Sequence, residues 1–193
     1  MSSLKSKKKM AGVCLLVIGL ILLSIPLYAE WGQTRKAQAL EKALSIVNEQ
    51  EGKVEKTKEM QFTNEQLKNV MELEIPAIDL REKVLDETNE ENLSIALTQI
   101  KSGQVAGKGN FSIAGHRGYR GNRHFRKLPD LSKGDEMILR TRTKTFKYRV
   151  VQTKIIEPTE TRILEDSKDE QEITLITCTI DGKKRIAVRG ILQ

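Results

Sequence analysis

The chain has 193 residues and a formal net charge of +7; it is 38% hydrophobic, 31% charged and poor in aromatic residues. That balance supports one modest folded domain with appendages. The basic excess comes with no basic patch interleaved with aromatics, no zinc-finger spacing and no ribonucleoprotein signature, so no nucleic-acid partner is expected.

Taken in order, the chain opens on a basic tail, residues 1–9, with Lys5, Lys7, Lys8 and Lys9. An almost uninterrupted apolar run, Met10 to Tyr28, follows and is close to the ~20 residues a membrane helix needs. A cleaved signal peptide would share the basic start and apolar middle, with Tyr28-Ala29-Glu30 as its cleavage site. The run is longer than the ~7–15-residue core of such peptides, and it leads into Trp31, a residue type that settles at membrane interfaces. The expectation is therefore an uncleaved anchor over 10–28, single-pass in the cell membrane, with the N-terminus cytoplasmic and the C-terminal bulk outside. Pro26 should kink or end this helix. Residues 29–66, rich in Lys, Glu, Gln and Ala with Leu40, Ala43, Leu44 and Val47 at helical spacing, read as a partly helical stalk.

The folded domain is expected over 67–193. Met71–Ile75 alternates as a strand that Pro76 ends, and Ile78–Leu85 supplies another. Glu90 and Glu91 ahead of Leu93, Ile95, Leu97 and Ile100 predict a short helix closed by Lys101. Phe111–Ala114 is a brief strand running into Gly115-His116-Arg117-Gly118, and Asn122 to Leu128 reads as a single helical turn. Met137–Arg142 and Phe146–Ile156 are strands, Pro158 ends the second, and 159–171 form a polar, acidic loop. Many short strands with turn signals between them and only one or two short helices indicate a closed or sandwich-like, mainly β fold.

The last segment carries the chemistry. Glu172–Cys178 and Lys184–Arg189 flank Asp181-Gly182, a strong signal for a hairpin with a two-residue primed turn. Counting outward from that turn pairs Cys178 with Arg185, and directly opposed residues share a face with Cβ atoms about 4.5–5.5 Å apart. Arg189 then faces Thr174, about 13 Å from the thiol at roughly 3.3 Å per residue. Cys14 and Cys178 are the only cysteines; the first lies in the proposed anchor and the second beyond it, so they do not pair. An exported thiol with no disulfide partner points to reactivity, against the alternative of a small, inert core residue.

A thiolate nucleophile needs a proton carrier for the leaving group, and the histidines are His116 and His124. His116 sits between glycines at a strand end, where a backbone can approach a substrate; His124 lies in the Arg120–Arg126 run and is expected on a solvated surface. The combination suggests acyl transfer: Cys178 attacks a carbonyl, Arg185 holds the developing oxyanion or the substrate carbonyl, and His116 protonates the departing nitrogen. No residue is marked as an orienter for His116, which argues against a papain-like triad. There is no zinc spacing and no phosphate loop. Glu165, Asp166, Asp169 and Glu170 offer oxygen donors for calcium, but a loop charge run reads as a solvated face, so no metal or other cofactor is expected. The alternative to an enzyme is a membrane-tethered β domain that binds cell-wall material or a protein partner.

These residues resemble a known family. Thr174-Leu175-Ile176-Thr177-Cys178 looks like the TLxTC motif of the sortases, Gly115-His116-Arg117 resembles their histidine segment, and Arg185–Gly190 their arginine strand. Glu74–Ile78 and Lys133-Gly134-Asp135 extend the similarity over about residues 70–193. The resemblance implies an eight-stranded β-barrel cysteine transpeptidase of Gram-positive bacteria, anchored by an N-terminal helix. It also implies cleavage of an LPXTG-like sorting signal of surface proteins after the threonine, and transfer to an amine of peptidoglycan precursor or of another protein. Cys178 would be the nucleophile, His116 the general acid/base and Arg185 the oxyanion or substrate ligand. The short loop from Pro158 to Ile173 lacks room for the extra helix of class B, and no Asp-Pro-aromatic lid of class C precedes the barrel. Class D fits the compact hairpin and short chain better than class A.

Overall fold

A computed structural model describes residues 2–49, 64–118, 124–167 and 170–193. Where Val, Ile, Leu and aromatic residues alternate with polar ones, a strand can bury one face and solvate the other. Among the described residues eight segments are strands: β1 Met71–Ile75, β2 Leu80–Leu85, β3 Leu97–Gln99, β4 Asn110–Ala114, β5 Glu136–Arg140, β6 Thr145–Ile156, β7 Glu172–Cys178 and β8 Arg185–Leu192. They close into a barrel in the order β1-β2-β3-β4-β7-β8-β6-β5, the eight-stranded architecture that the resemblance implied. Closure leaves no free sheet edge. Leu73, Ile75, Phe111, Ile113, Leu139, Tyr148, Ile173, Leu175 and Val188 fill the interior.

Two pairings are parallel, β2 with β3 and β4 with β7; the other pairings around the barrel are antiparallel. Each parallel pairing needs a crossover. The β2–β3 crossover contains a short helix, α3 in chain order, over Glu90–Ile95; Asn89 caps it by accepting the Asn92 N–H at 2.8 Å. The helix ends earlier than the sequence predicts: Ala96 is extended and Leu97–Gln99 becomes β3, paired with β2 and β4. The second strand likewise starts at Leu80, because Pro76–Ile78 forms a single 3-10 turn. Leu128–Asp130 is another 3-10 turn, where a helical turn over Asn122–Leu128 was expected; residues 119–123 lie outside the described residues.

N-terminal to the barrel, α1 spans Ser2–Glu49 and α2 spans Asn64–Asn69. The chain divides into two compact units, Met1–Lys42 and Ala43–Gln193. Pro26 neither ends nor breaks α1; a long helix sustains the loss of one backbone donor through propagation on both sides. Val13, Leu15, Leu16, Leu20 and Leu23 are exposed along it, and the Arg35 guanidinium lies 3.6 Å above the Trp31 ring. Among the described residues no helix is long and apolar enough to cross a membrane. The stalk expected over 29–66 is helical to Glu49, and 50–63 lie outside the described residues.

Candidate active site

Cys178 ends β7, and what flanks it is decided by two registers. On one side β4 runs parallel to β7, pairing Asn110 with Glu172 and ending with Ala114 opposite Ile176. The Gly115 N–H donates to the Ile176 carbonyl at 3.1 Å and carries the pairing past the end of β4. The same register, continued two residues past Ala114, sets His116 level with Cys178. On the other side β8 runs antiparallel to β7 and sets Arg185 opposite Cys178. Ile173 and Leu175 point into the core, so the alternate residues of β7, Cys178 among them, face outward. By that register His116, just past the end of β4, falls in a row with the paired Cys178 and Arg185 on the outer face, at about 5 Å per strand. His116 is exposed, and Cys178 and Arg185 are half-buried.

The Cys178–Arg185 pairing counted from the sequence holds, but the turn differs from the expected two-residue primed type. Thr179 and Lys184 close a four-residue loop through the Thr179 N–H to the Lys184 carbonyl at 3.0 Å, and the Gly182 N–H returns to the Thr179 carbonyl at 2.9 Å. Gly182 takes positive φ (71°) and Asp181 does not. The register survives because both loops are centred on the same Asp181–Gly182 bond. The guanidinium is placed differently from expectation as well: Arg185 Nη1 donates to the Gly182 and Lys184 carbonyls, each at 3.1 Å. Among the described residues no hydrogen bond joins it to the thiol.

Arg189 pairs with Thr174, as counted, and its Nη1 lies 3.0 Å from Oε1 of the buried Glu172. Burial pushes the Glu172 carboxyl above the ordinary carboxylate range, and the Arg189 charge pulls it partly back. Sequence reasoning missed this pair. Its signal was available in the diagonal neighbour rule, since Glu172 stands two residues before Thr174.

Behind His116 the packing is tight. A Cβ added to Gly115 would lie 2.5 Å from Leu97 Cδ2 and 2.8 Å from Phe125 Cδ2, and the Phe125 N–H donates to the His116 carbonyl at 3.0 Å. Glycine is required here so that Phe125 can sit against the strand end that presents the imidazole. His124, expected on a solvated surface, is buried. With φ at 54°, its N–H donates to Glu82 Oε1 at 2.9 Å and its Nδ1 stands 3.8 Å from Glu82 Oε2. The structure does not bring it into the Cys178 row.

The acidic loop is also committed. Asp166 accepts from Lys101 Nζ at 2.7 Å and from the Asn110 N–H at 2.9 Å; the Lys101 hydrogen bond holds its carboxyl below the ordinary range. Asp169 lies outside the described residues. Among those described, no group of three or more His, Cys, Asp or Glu residues could hold a metal ion.

A thiol flanked by an imidazole and a guanidinium can attack a carbonyl, stabilise the resulting oxyanion and protonate a leaving amine. The sortase-domain family model matches residues 73–193. Sortase A of Bacillus anthracis is 32% identical, covering 93% of this chain and 91% of that protein. Among solved structures, sortase A of Listeria monocytogenes is 33% identical with a TM-score of 0.62, over 65% of this chain and 87% of that one. A Clostridium perfringens Sortase D5 transpeptidase is 28% identical with a TM-score of 0.65, over 81% of this chain and 99% of that one. The match over the whole barrel, together with the B. anthracis relative that spans nearly the full chain, establishes that this protein belongs to the sortase family and is a cysteine transpeptidase.

Proposed function

We propose that this transpeptidase cleaves an LPXTG-like sorting signal between its threonine and glycine and transfers the threonyl end to a cell-wall or protein amine. The observation that carries the reading is the three-strand row: parallel β4–β7 brings His116 level with Cys178 from one side, and antiparallel β8 brings Arg185 from the other. Cys178 attacks the threonine carbonyl carbon as thiolate. Nε and Nη2 of Arg185, which make no hydrogen bond among the described residues, donate to the developing oxyanion. As the tetrahedral adduct collapses, His116 gives its proton to the departing glycine nitrogen, leaving a thioester on Cys178. An incoming amine attacks the thioester, passes a proton to His116 and expels the Cys178 thiolate. Peptidoglycan precursor is the proposed acceptor.

Residues 10–28 anchor the enzyme in the cell membrane in this reading, with the barrel outside. The composition of the run and the Trp31–Arg35 contact just beyond it support this. The compact β7–β8 hairpin and the near-complete coverage of the Clostridium relative favour class D over class A.

The full chain in detergent micelles, given a quenched LPXTG-type peptide and a small amine, tests the chemistry. Wild type should release the fluorophore and form the amine adduct, and Cys178→Ala should do neither. Inactive wild type, or equal cleavage by both, would overturn the proposal. For the anchor, the full chain should stay in the membrane pellet through alkaline extraction and a chain lacking 1–28 should not; release of the full chain would count against it.

A further inference from the structure

We propose that Thr179 and Asp181 are positioning residues that hold Arg185 ready for the substrate, acting through the backbone of the β7–β8 turn. This rests on the reading of Arg185 as the oxyanion or substrate ligand.

The ladder from Glu172–Ile191 to Cys178–Arg185 already sets the hairpin register. The turn is nevertheless cross-tied well beyond what that register needs. The Thr179 hydroxyl stands 2.5 Å from Asp181 Oδ1, to which it donates, and accepts the Lys184 N–H at 3.0 Å. Asp181 Oδ1 also accepts the Lys183 N–H at 3.2 Å. The side chains of Thr179 and Asp181 therefore fix the path of residues 182–184, with Gly182 supplying the one left-handed step. Lys184 Nζ, 2.8 Å from Glu157 Oε1, fastens the same turn to the end of β6.

What this fixed turn presents is two carbonyls, Gly182 and Lys184, converging on one nitrogen of Arg185. An arginine side chain is long and rotamer-rich, and aligning it during the reaction would add an entropic penalty to the barrier. Holding Nη1 on the turn removes that penalty in advance and leaves the other edge of the guanidinium for the oxyanion. The carboxylate of Asp181 is held below its ordinary range mainly by the Thr179 hydroxyl, consistent with an ionised acceptor throughout the neutral range.

Single-turnover and steady-state cleavage by the full chain in micelles tests the inference with Asp181→Ala, Asp181→Asn and Thr179→Val, alone and combined with Arg185→Ala. Asp181→Ala should lower kcat about tenfold with KM within about twofold, and Asp181→Asn, which keeps the acceptor oxygen, should recover most of it. In the Arg185→Ala background the same change should have no further effect, because the two positions act as one unit. Wild-type kcat for both Asp181→Ala and Thr179→Val would overturn the inference. So would an equal loss in the presence and absence of Arg185. Should Asp181→Ala melt early, Thr179→Val carries the same comparison. Arg185→Ala at wild-type turnover would instead overturn the assignment of Arg185, and this inference with it.

Discussion

Arg185 and Arg189 lie on the same face of β8, four residues apart, and the barrel uses them differently. Arg185 opposes the thiol, while Arg189 neutralises a carboxylate that burial would otherwise make expensive. Arg185→Ala should lower turnover by about 10²- to 10³-fold, to a small residual rate. Arg189→Ala should keep most of it and lower stability by about 1–3 kcal/mol in urea titration, since Glu172 loses its partner. The opposite pattern would reverse the assignment. Glu172 also sets a pH signature. Its folded-state pKa is raised, so between its unfolded and folded values the native state binds the extra proton, and this group's contribution to stability falls as pH rises through that window. Glu172→Gln should remove that slope, so the variant gains on wild type as pH rises above the ordinary glutamate range; a constant difference would refute the account. Pairing partners at this scale were legible from counting alone, because a centred loop of either length gives one register. The aim of the Arg185 guanidinium was not, because it depends on carbonyls whose direction only the finished turn defines.

At the level of elements, the site depends on a parallel pairing that hairpin arithmetic cannot reach. β4 and β7 are separated by β5 and β6 in the chain, and nothing local marks them as neighbours. The sequence identified His116 by its glycine neighbours and by family likeness, and the structure supplies the reason for the first of these glycines. Gly115→Ala should push Leu97 and Phe125 aside, lower stability by about 1–3 kcal/mol, and reduce turnover by shifting His116. Thermal melts alongside the peptide assay measure both, and a variant with wild-type values in each would show that the close packing is immaterial. β3 was misread as the end of a helix because Leu97–Gln99 is too short to show period two. Pairing with β2 on one side and β4 on the other overrides the local helical pattern. His124 was misplaced for a similar reason: an arginine-rich neighbourhood indicates solvent, yet a left-handed backbone step beside Phe125 brings the residue against Glu82.

For the molecule as a whole, the strand order has a consequence for when the enzyme comes to exist. β7 and β8, synthesised after the other six strands of the described barrel, do not add to an edge; they fill the gap between β4 and β6. A chain released before residue 170 would keep both of those edges open and unpaired, the condition that promotes strand-to-strand aggregation. Such a fragment should bind a hydrophobic dye and sediment where the full chain does not; a soluble, dye-silent fragment would contradict this. The wedge that seals the barrel is also the hairpin that carries the nucleophile and its arginine, while His116, two residues past β4, is made earlier. Closure and chemical competence therefore arrive in one step, once β7 and β8 have been made, and a chain interrupted before them lacks the Cys178 nucleophile.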